Sequence, residues 1–134
     1  MIKRKVFMAV KKVLIVDDEP KIIEILESFF EMEGYSVVSA HNGKEALKIL
    51  KGNTPVDLVI ADEKMPVMNG AEFLRRLRNS DKGIPVIILT GSLNAKEIKE
   101  LDRDLYEHMM IKPVRLSELS EVAGELLGKK VRRG

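Results

Sequence analysis

Three uninterrupted apolar runs, Val13-Leu14-Ile15-Val16, Leu58-Val59-Ile60-Ala61 and Val86-Ile87-Ile88-Leu89, each stop abruptly at a polar residue. Their lack of alternation restricts the fold more than any other feature. A strand with apolar side chains on both faces must be covered on both faces, as in a parallel sheet held between helix layers. Such short runs are not separable from buried helix segments by periodicity alone, so the intervening segments decide.

Those segments read as helices. Pro20 suits the first turn of a helix, and Ile22, Ile25, Leu26, Phe29 and Phe30 then recur with helical spacing until Gly34, an αL terminator. Tyr35 to Ala40 reads as a second strand. Asn42 with Glu45 resembles a capping box that opens a helix ending near Gly52-Asn53. A helix from about Gly70 to Asn79 presents Ala71, Phe73, Leu74 and Leu77. Asn94 and Glu97 repeat the cap signature, with Ile98, Leu101 and Leu105 along one face of a fourth helix. Met109-Met110-Ile111 is a short fifth strand, and Leu116, Leu119, Val122, Ala123, Leu126 and Leu127 stripe a last helix. The order is (βα)5, an α/β three-layer sandwich around a five-stranded parallel sheet with right-handed crossovers. One domain is expected over residues 11–128, after a flexible lead-in (1–10) and before a basic tail (129–134).

The totals narrow the function. A chain of 134 residues can bury one sizeable core. Its net charge of +2 gives no support to nucleic-acid binding. The absence of cysteine removes disulfides, thiolate metal sites and cysteine nucleophiles. No apolar run approaches the ~18 residues of a membrane span. The apolar part of the N-terminus is too short for a signal peptide and is cut off by Lys11-Lys12. A cytoplasmic setting fits these features.

Four strands hand over to polar residues at their carboxyl ends: Asp17-Asp18, Asp62, Thr90 and Lys112. In a parallel sheet these ends share one edge, where open α/β sheets bind ligands. Each residue alone has a plain explanation: a helix-capping Asp, an incidental Thr, a solvated Lys. Together they are hard to obtain from capping. Two carboxylates ~5 Å apart repel by about 3 kcal/mol at an effective dielectric of ~20, so three need a cation or a shared proton. An oxygen-only site of a few carboxylates suits Mg2+ or Mn2+, and no EF-hand-like spacing points to calcium. Lys112 and Thr90 are placed to contact the oxygens of an anion, with phosphate the obvious candidate. Asp62, followed by the loop Glu63-Lys64-Met65-Pro66-Val67-Met68-Asn69-Gly70, is the candidate nucleophile.

With these residues assembled, the chain closely resembles the receiver domain of two-component response regulators. The matching segments are Val13 to Pro20, Asp62 to Gly70, Val86 to Gly91 and Lys112-Pro113, in order and in spacing, over about residues 11–128. The resemblance implies a flavodoxin-like strand order, 2-1-3-4-5. It implies that Asp62 takes a phosphoryl group from a phosphohistidine on a sensor histidine kinase or histidine phosphotransfer protein. Mg2+ would be held by Asp17, Asp18, Asp62 and the backbone carbonyl of Lys64. Thr90 would hydrogen-bond the phosphoryl group, Lys112 would pair with its oxygens, and the peptide before Pro113 would be cis. Phosphorylation would then reshape the surface formed by the helix after strand four, strand five and the last helix. Nothing resembling a helix-turn-helix output domain follows residue 128, so docking to a downstream protein is the expected output.

Three features depart from that family. Met109 stands where an aromatic switch residue usually lies, and Tyr106 is out of register with that place. Asp104-Leu105-Tyr106 replaces a turn of small residues. Lys64 and Ser92 flank the place where loss of the phosphoryl group is tuned, and Lys64 is expected to shield it from water. Competing readings are weaker. A phosphohydrolase of the haloacid-dehalogenase type needs a second Asp two residues after the nucleophile, where Lys64 stands. A flavodoxin-like nucleotide binder would meet repulsion from Asp17-Asp18. A pseudo-receiver acting only as an interaction module would not require the complete polar set.

Overall fold

The computed structural model describes residues 10–80, 83–91 and 101–128. Five strands, β1 (Lys12–Val16), β2 (Ser36–Ala40), β3 (Leu58–Asp62), β4 (Val86–Thr90) and β5 (His108–Ile111), form one sheet. All neighbouring pairs are parallel and the order is β2-β1-β3-β4-β5. Helices α1 (Pro20–Met32), α2 (Gly43–Lys51) and α3 (Gly70–Ser80), with a C-terminal helix (Leu116–Leu126), cover its faces. This is the α/β three-layer sandwich that the alternation of elements implies, in the flavodoxin-like strand order that the family resemblance implies.

The two core layers follow from the period of two along each strand. Leu14 and Val16, Val59 and Ala61, and Val86 and Ile88 face one side, where they meet Ala46 of α2 and Phe73, Leu74 and Leu77 of α3. The alternate residues, Val13 and Ile15, Leu58 and Ile60, and Ile87 and Leu89, face the other side. There they meet Ile23, Leu26 and Phe30 of α1 and Leu119 and Ala123 of the C-terminal helix. The three apolar runs are therefore the three inner strands, buried on both faces. The edge strands β2 and β5 are only partly covered.

The ends of the helices also follow from local chemistry. Pro20 opens α1, and Gly34 ends it with φ of 99°. Asn42 Oδ1 accepts the Glu45 N–H at 2.8 Å. Glu45 Oε1 in turn accepts the backbone N–H of His41, one residue before the cap. Asn69 does the same for α3 by accepting the Glu72 N–H at 2.9 Å.

Two expectations need correction. On α1, Ile25 is 52% exposed and Ile23 takes the core position, because the sheet presses against the Ile23-Leu26-Phe30 stripe. Ile25 instead stands on an apolar groove of about 550 Å³ that reaches Lys112 between α1 and the C-terminal helix. The stripe through Leu101 and Leu105 does not continue as a helix: Arg103–Leu105 is a 3-10 turn capped by Asp102, whose Oδ1 accepts the Asp104 N–H. Leu101 is buried as expected, whereas Asn94, Glu97 and Ile98 lie outside the described residues. So do the lead-in up to residue 9, Ser92 and the tail from residue 129. Among the described residues, no helix is long and apolar enough to cross a membrane.

Candidate functional site

The sheet brings the polar strand ends to one edge and holds them there through its backbone. The ladder runs one step past the strands: Asp17 N–H donates to Ala40 O, Glu63 N–H to Leu89 O, and Lys112 N–H to Thr90 O. Asp62 and Thr90 are the last residues of β3 and β4, on adjacent strands. Residues distant in sequence are thereby fixed as neighbours.

The carboxylates of Asp17, Asp18 and Asp62 each place an oxygen within 4.8 Å of the others. Asp17 and Asp62 are buried and Asp18 is exposed. Lys112 Nζ lies 3.0 Å from Asp62 Oδ1 and 3.8 Å from Asp17 Oδ2. The peptide that follows, Lys112–Pro113, is cis. Thus Asp17, Asp18, Asp62 and Lys112, named from the sequence, converge, and Thr90 is buried beside them at the end of β4. Lys64 is exposed in the loop that follows.

Burial sets the electrostatics. Desolvation raises the Asp62 carboxyl above the ordinary carboxylate range, although the hydrogen bond and charge of Lys112 oppose it. The Asp17 carboxyl is raised in the same way, against the pull of the Glu19 N–H and Lys112. Burial alone would lower the Lys112 ammonium, but its hydrogen bond to Asp62 and the charges of Asp62, Asp17 and Glu19 raise it overall. One lysine does not balance this cluster. Asp17 Oδ1 accepts the Glu19 N–H at 2.8 Å, while the buried Oδ2 has no hydrogen-bond partner. An orphaned buried carboxylate oxygen beside two further carboxylates fits a divalent cation, and this cluster could hold one.

The loop after Asp62 is built around a close approach. Gly70 N–H donates to Glu63 O at 2.8 Å. A Cβ on Gly70 would lie 2.9 Å from Glu63 Cα and 3.2 Å from Asp62 O, so only glycine lets α3 start this close to the end of β3. Within this loop Val67 has φ of 72°, a left-handed conformation that costs a β-branched residue about 1–2 kcal/mol. Burying Phe73 and Leu74 of α3 contributes about 1.5–3 kcal/mol each and outweighs that strain.

One residue near the site carries no signal of its own in the sequence. Glu63, next to Asp62, is 9% exposed, and its Oε1 accepts the Thr90 hydroxyl at 2.6 Å. An acidic residue in a loop reads as solvated, but Glu63 continues the ladder to β4 through its N–H to Leu89 O and meets Thr90 with its side chain. Around the departures from the family, Met109 is half-buried and packs with Leu105 and Tyr106 against the α2–α3 side of the core. Arg78 ties α3 to this region, donating to Leu105 O, Ile84 O and Glu107 Oε1.

Known proteins share this fold and much of this sequence. The chain is similar to Response regulator GtcR of Aneurinibacillus migulanus, 45% identical over 81 residues that make up 60% of this chain and 33% of that protein. It is 38% identical to the Regulator of RpoS of Escherichia coli K12 over 113 residues, 84% of this chain and 33% of that protein. The chain thus spans about a third of the length of these relatives. A CheY-like receiver domain protein from Methanospirillum hungatei JF-1 superposes with a TM-score of 0.84 at 29% identity, covering 90% of this chain and 96% of that one. The family model for the response regulator receiver domain matches residues 13–123, the span from the second residue of β1 into the C-terminal helix. The chain belongs to the response regulator receiver domain family, the module of two-component signal transduction.

Proposed function

We propose that Asp62 accepts a phosphoryl group from a phosphohistidine of a sensor histidine kinase or histidine phosphotransfer protein, in a reaction that depends on Mg2+ or Mn2+. The observation that carries this reading is the Lys112 ammonium 3.0 Å from Asp62 Oδ1, beside a three-carboxylate cluster with an orphaned oxygen. In the transfer, an Asp62 oxygen bonds to phosphorus as the donor's N–P bond breaks, and the imidazole nitrogen leaves with the electron pair. Such transfers depend on positioning and charge stabilisation. Lys112 would pair with the phosphoryl oxygens, and Thr90, once its hydroxyl turns from Glu63, would donate a hydrogen bond to one. Asp17, Asp18, Asp62 and the backbone carbonyl of Lys64 are the groups that would hold the cation. When bound, it would neutralise carboxylate and phosphoryl charge together. The apolar groove beside Lys112 gives a protein donor a surface next to the reacting group.

The product is a signalling state, not a turned-over substrate. The new charge on Asp62 would bias Thr90 and β5, and the half-buried Met109 would repack in response where the family has an aromatic side chain. The setting is cytoplasmic, where the phosphohistidine donors of such systems are exposed.

The test is incubation with Mg2+ and acetyl phosphate followed by intact-mass measurement. One added phosphoryl group that vanishes in Asp62→Asn is expected. No adduct, under conditions that label another receiver, would leave a phosphorylation-independent interaction module as the better reading.

A further inference from the structure

We propose that Glu63 is a positioning residue that holds the Thr90 hydroxyl and competes for it with a phosphoryl group on Asp62. A threonine hydroxyl has one proton and makes one strong donation at a time. Here that proton goes to Glu63 Oε1 at 2.6 Å, between two buried side chains. Glu63 is held in place on both sides of its Cα, through its N–H to Leu89 O and its carbonyl to the Gly70 N–H. Gly70 starts α3 so close to Glu63 that a Cβ there would meet the Glu63 backbone.

This arrangement sets the threshold of the switch. A hydrogen bond to a charged acceptor is stronger than a neutral one, and leaving a buried acceptor unsatisfied is unfavourable. Turning Thr90 toward a phosphoryl oxygen therefore exchanges one anionic acceptor for another and strips Glu63 of its donor. Without the Glu63 acceptor, the Thr90 hydroxyl would lose the charged partner that draws its proton away from the phosphoryl group. Glu63 thus favours the resting state without touching the reacting atoms.

The inference rests on Asp62 being a phosphoryl acceptor, and the measurement separates the two. Beryllofluoride, a phosphoryl mimic, is titrated with Mg2+ into the wild type, Glu63→Ala, Glu63→Gln and each of these combined with Thr90→Ala, with binding followed by fluorine NMR. Glu63→Ala is expected to bind on the order of tenfold more tightly. Glu63→Gln keeps an acceptor for Thr90 while losing the charge, and is expected to stay closer to the wild type. In the Thr90→Ala background the advantage of Glu63→Ala should disappear. An equal gain in the Ala and Gln variants would mean simple charge repulsion, and a gain that persists without the Thr90 hydroxyl would mean the same; either overturns the proposal. So does a Glu63→Ala variant no tighter than wild type. A wild type that binds no beryllofluoride would overturn the acceptor reading of Asp62 as well.

Discussion

Lys112 Nζ lies 3.0 Å from Asp62 Oδ1, so the residue after β5 supplies the positive charge facing the last residue of β3, two strands away. That ammonium partly offsets the burial of Asp62, and it occupies the same electrostatic field as a cation held by the carboxylates. Lys112→Ala is expected to destabilise the metal-free protein by about 1–2 kcal/mol at pH 7, since a buried carboxylate loses a charged partner that is itself partly solvated. The same change is expected to tighten Mg2+ binding, because a competing positive charge is gone. Calorimetric titration checks this; an affinity unchanged or weakened would show that Lys112 and the cation do not share one field.

Asp17 gives a pH signature. Burial raises its carboxyl above the ordinary range, outweighing the Glu19 N–H and Lys112. A carboxyl raised by folding contributes stability that is fully present below its unfolded pKa and is lost as pH rises through its folded pKa. Ionised Asp17 therefore opposes folding at neutral pH. Asp17→Asn is expected to raise the Tm of the metal-free protein at pH 7 by about 3–5 °C, on the order of 1 kcal/mol, with the gain fading as pH falls toward ~4. Scanning calorimetry in chelator across that range reads the outcome, and a less stable variant at pH 7 would contradict it. The thermal shift produced by Mg2+ should shrink in the same variant.

Gly70 is required by space, not by backbone angle. A methyl group there would meet Glu63 Cα at 2.9 Å, and backbone cannot swing aside as a side-chain tip can. Gly70→Ala is expected to cost about 1–3 kcal/mol and to slow labelling of Asp62 by acetyl phosphate. A variant with wild-type Tm and labelling rate would show that the loop relaxes freely.

Val67 offers the opposite result. It is exposed and carries φ of 72°, where asparagine is better tolerated than any β-branched residue. Val67→Asn is expected to stabilise the protein by about 1 kcal/mol, visible as a higher denaturant midpoint with an unchanged slope. A lower midpoint would mean that Val67 makes a contact that outweighs its strain.

Much of the fold was legible because its strongest signals are local. Val13 to Val16, Leu58 to Ala61 and Val86 to Leu89 are apolar on both faces, and that alone requires cover on both sides of a sheet. Asn42 and Gly34 mark helix ends through bonds and angles within a few residues. Ile25 was misplaced because Ile22, Ile23, Ile25 and Leu26 permit more than one apolar stripe, and only the sheet's position selects Ile23. Leu105 was misplaced because a helical spacing of leucines does not reveal a turn capped by Asp102.

By itself the sequence determined which residues stand at strand ends, and hence that Asp17, Asp18, Asp62, Thr90 and Lys112 would share one edge of a parallel sheet. Chain direction and strand length are enough for that. Only the tertiary structure decided how they face one another: Lys112 against Asp62, Asp17 with a buried oxygen that no hydrogen bond reaches, and Thr90 turned to Glu63. Those contacts depend on register between strands and on the closeness of Gly70 to Glu63, which are set by packing across the whole sheet and leave no local mark in the chain.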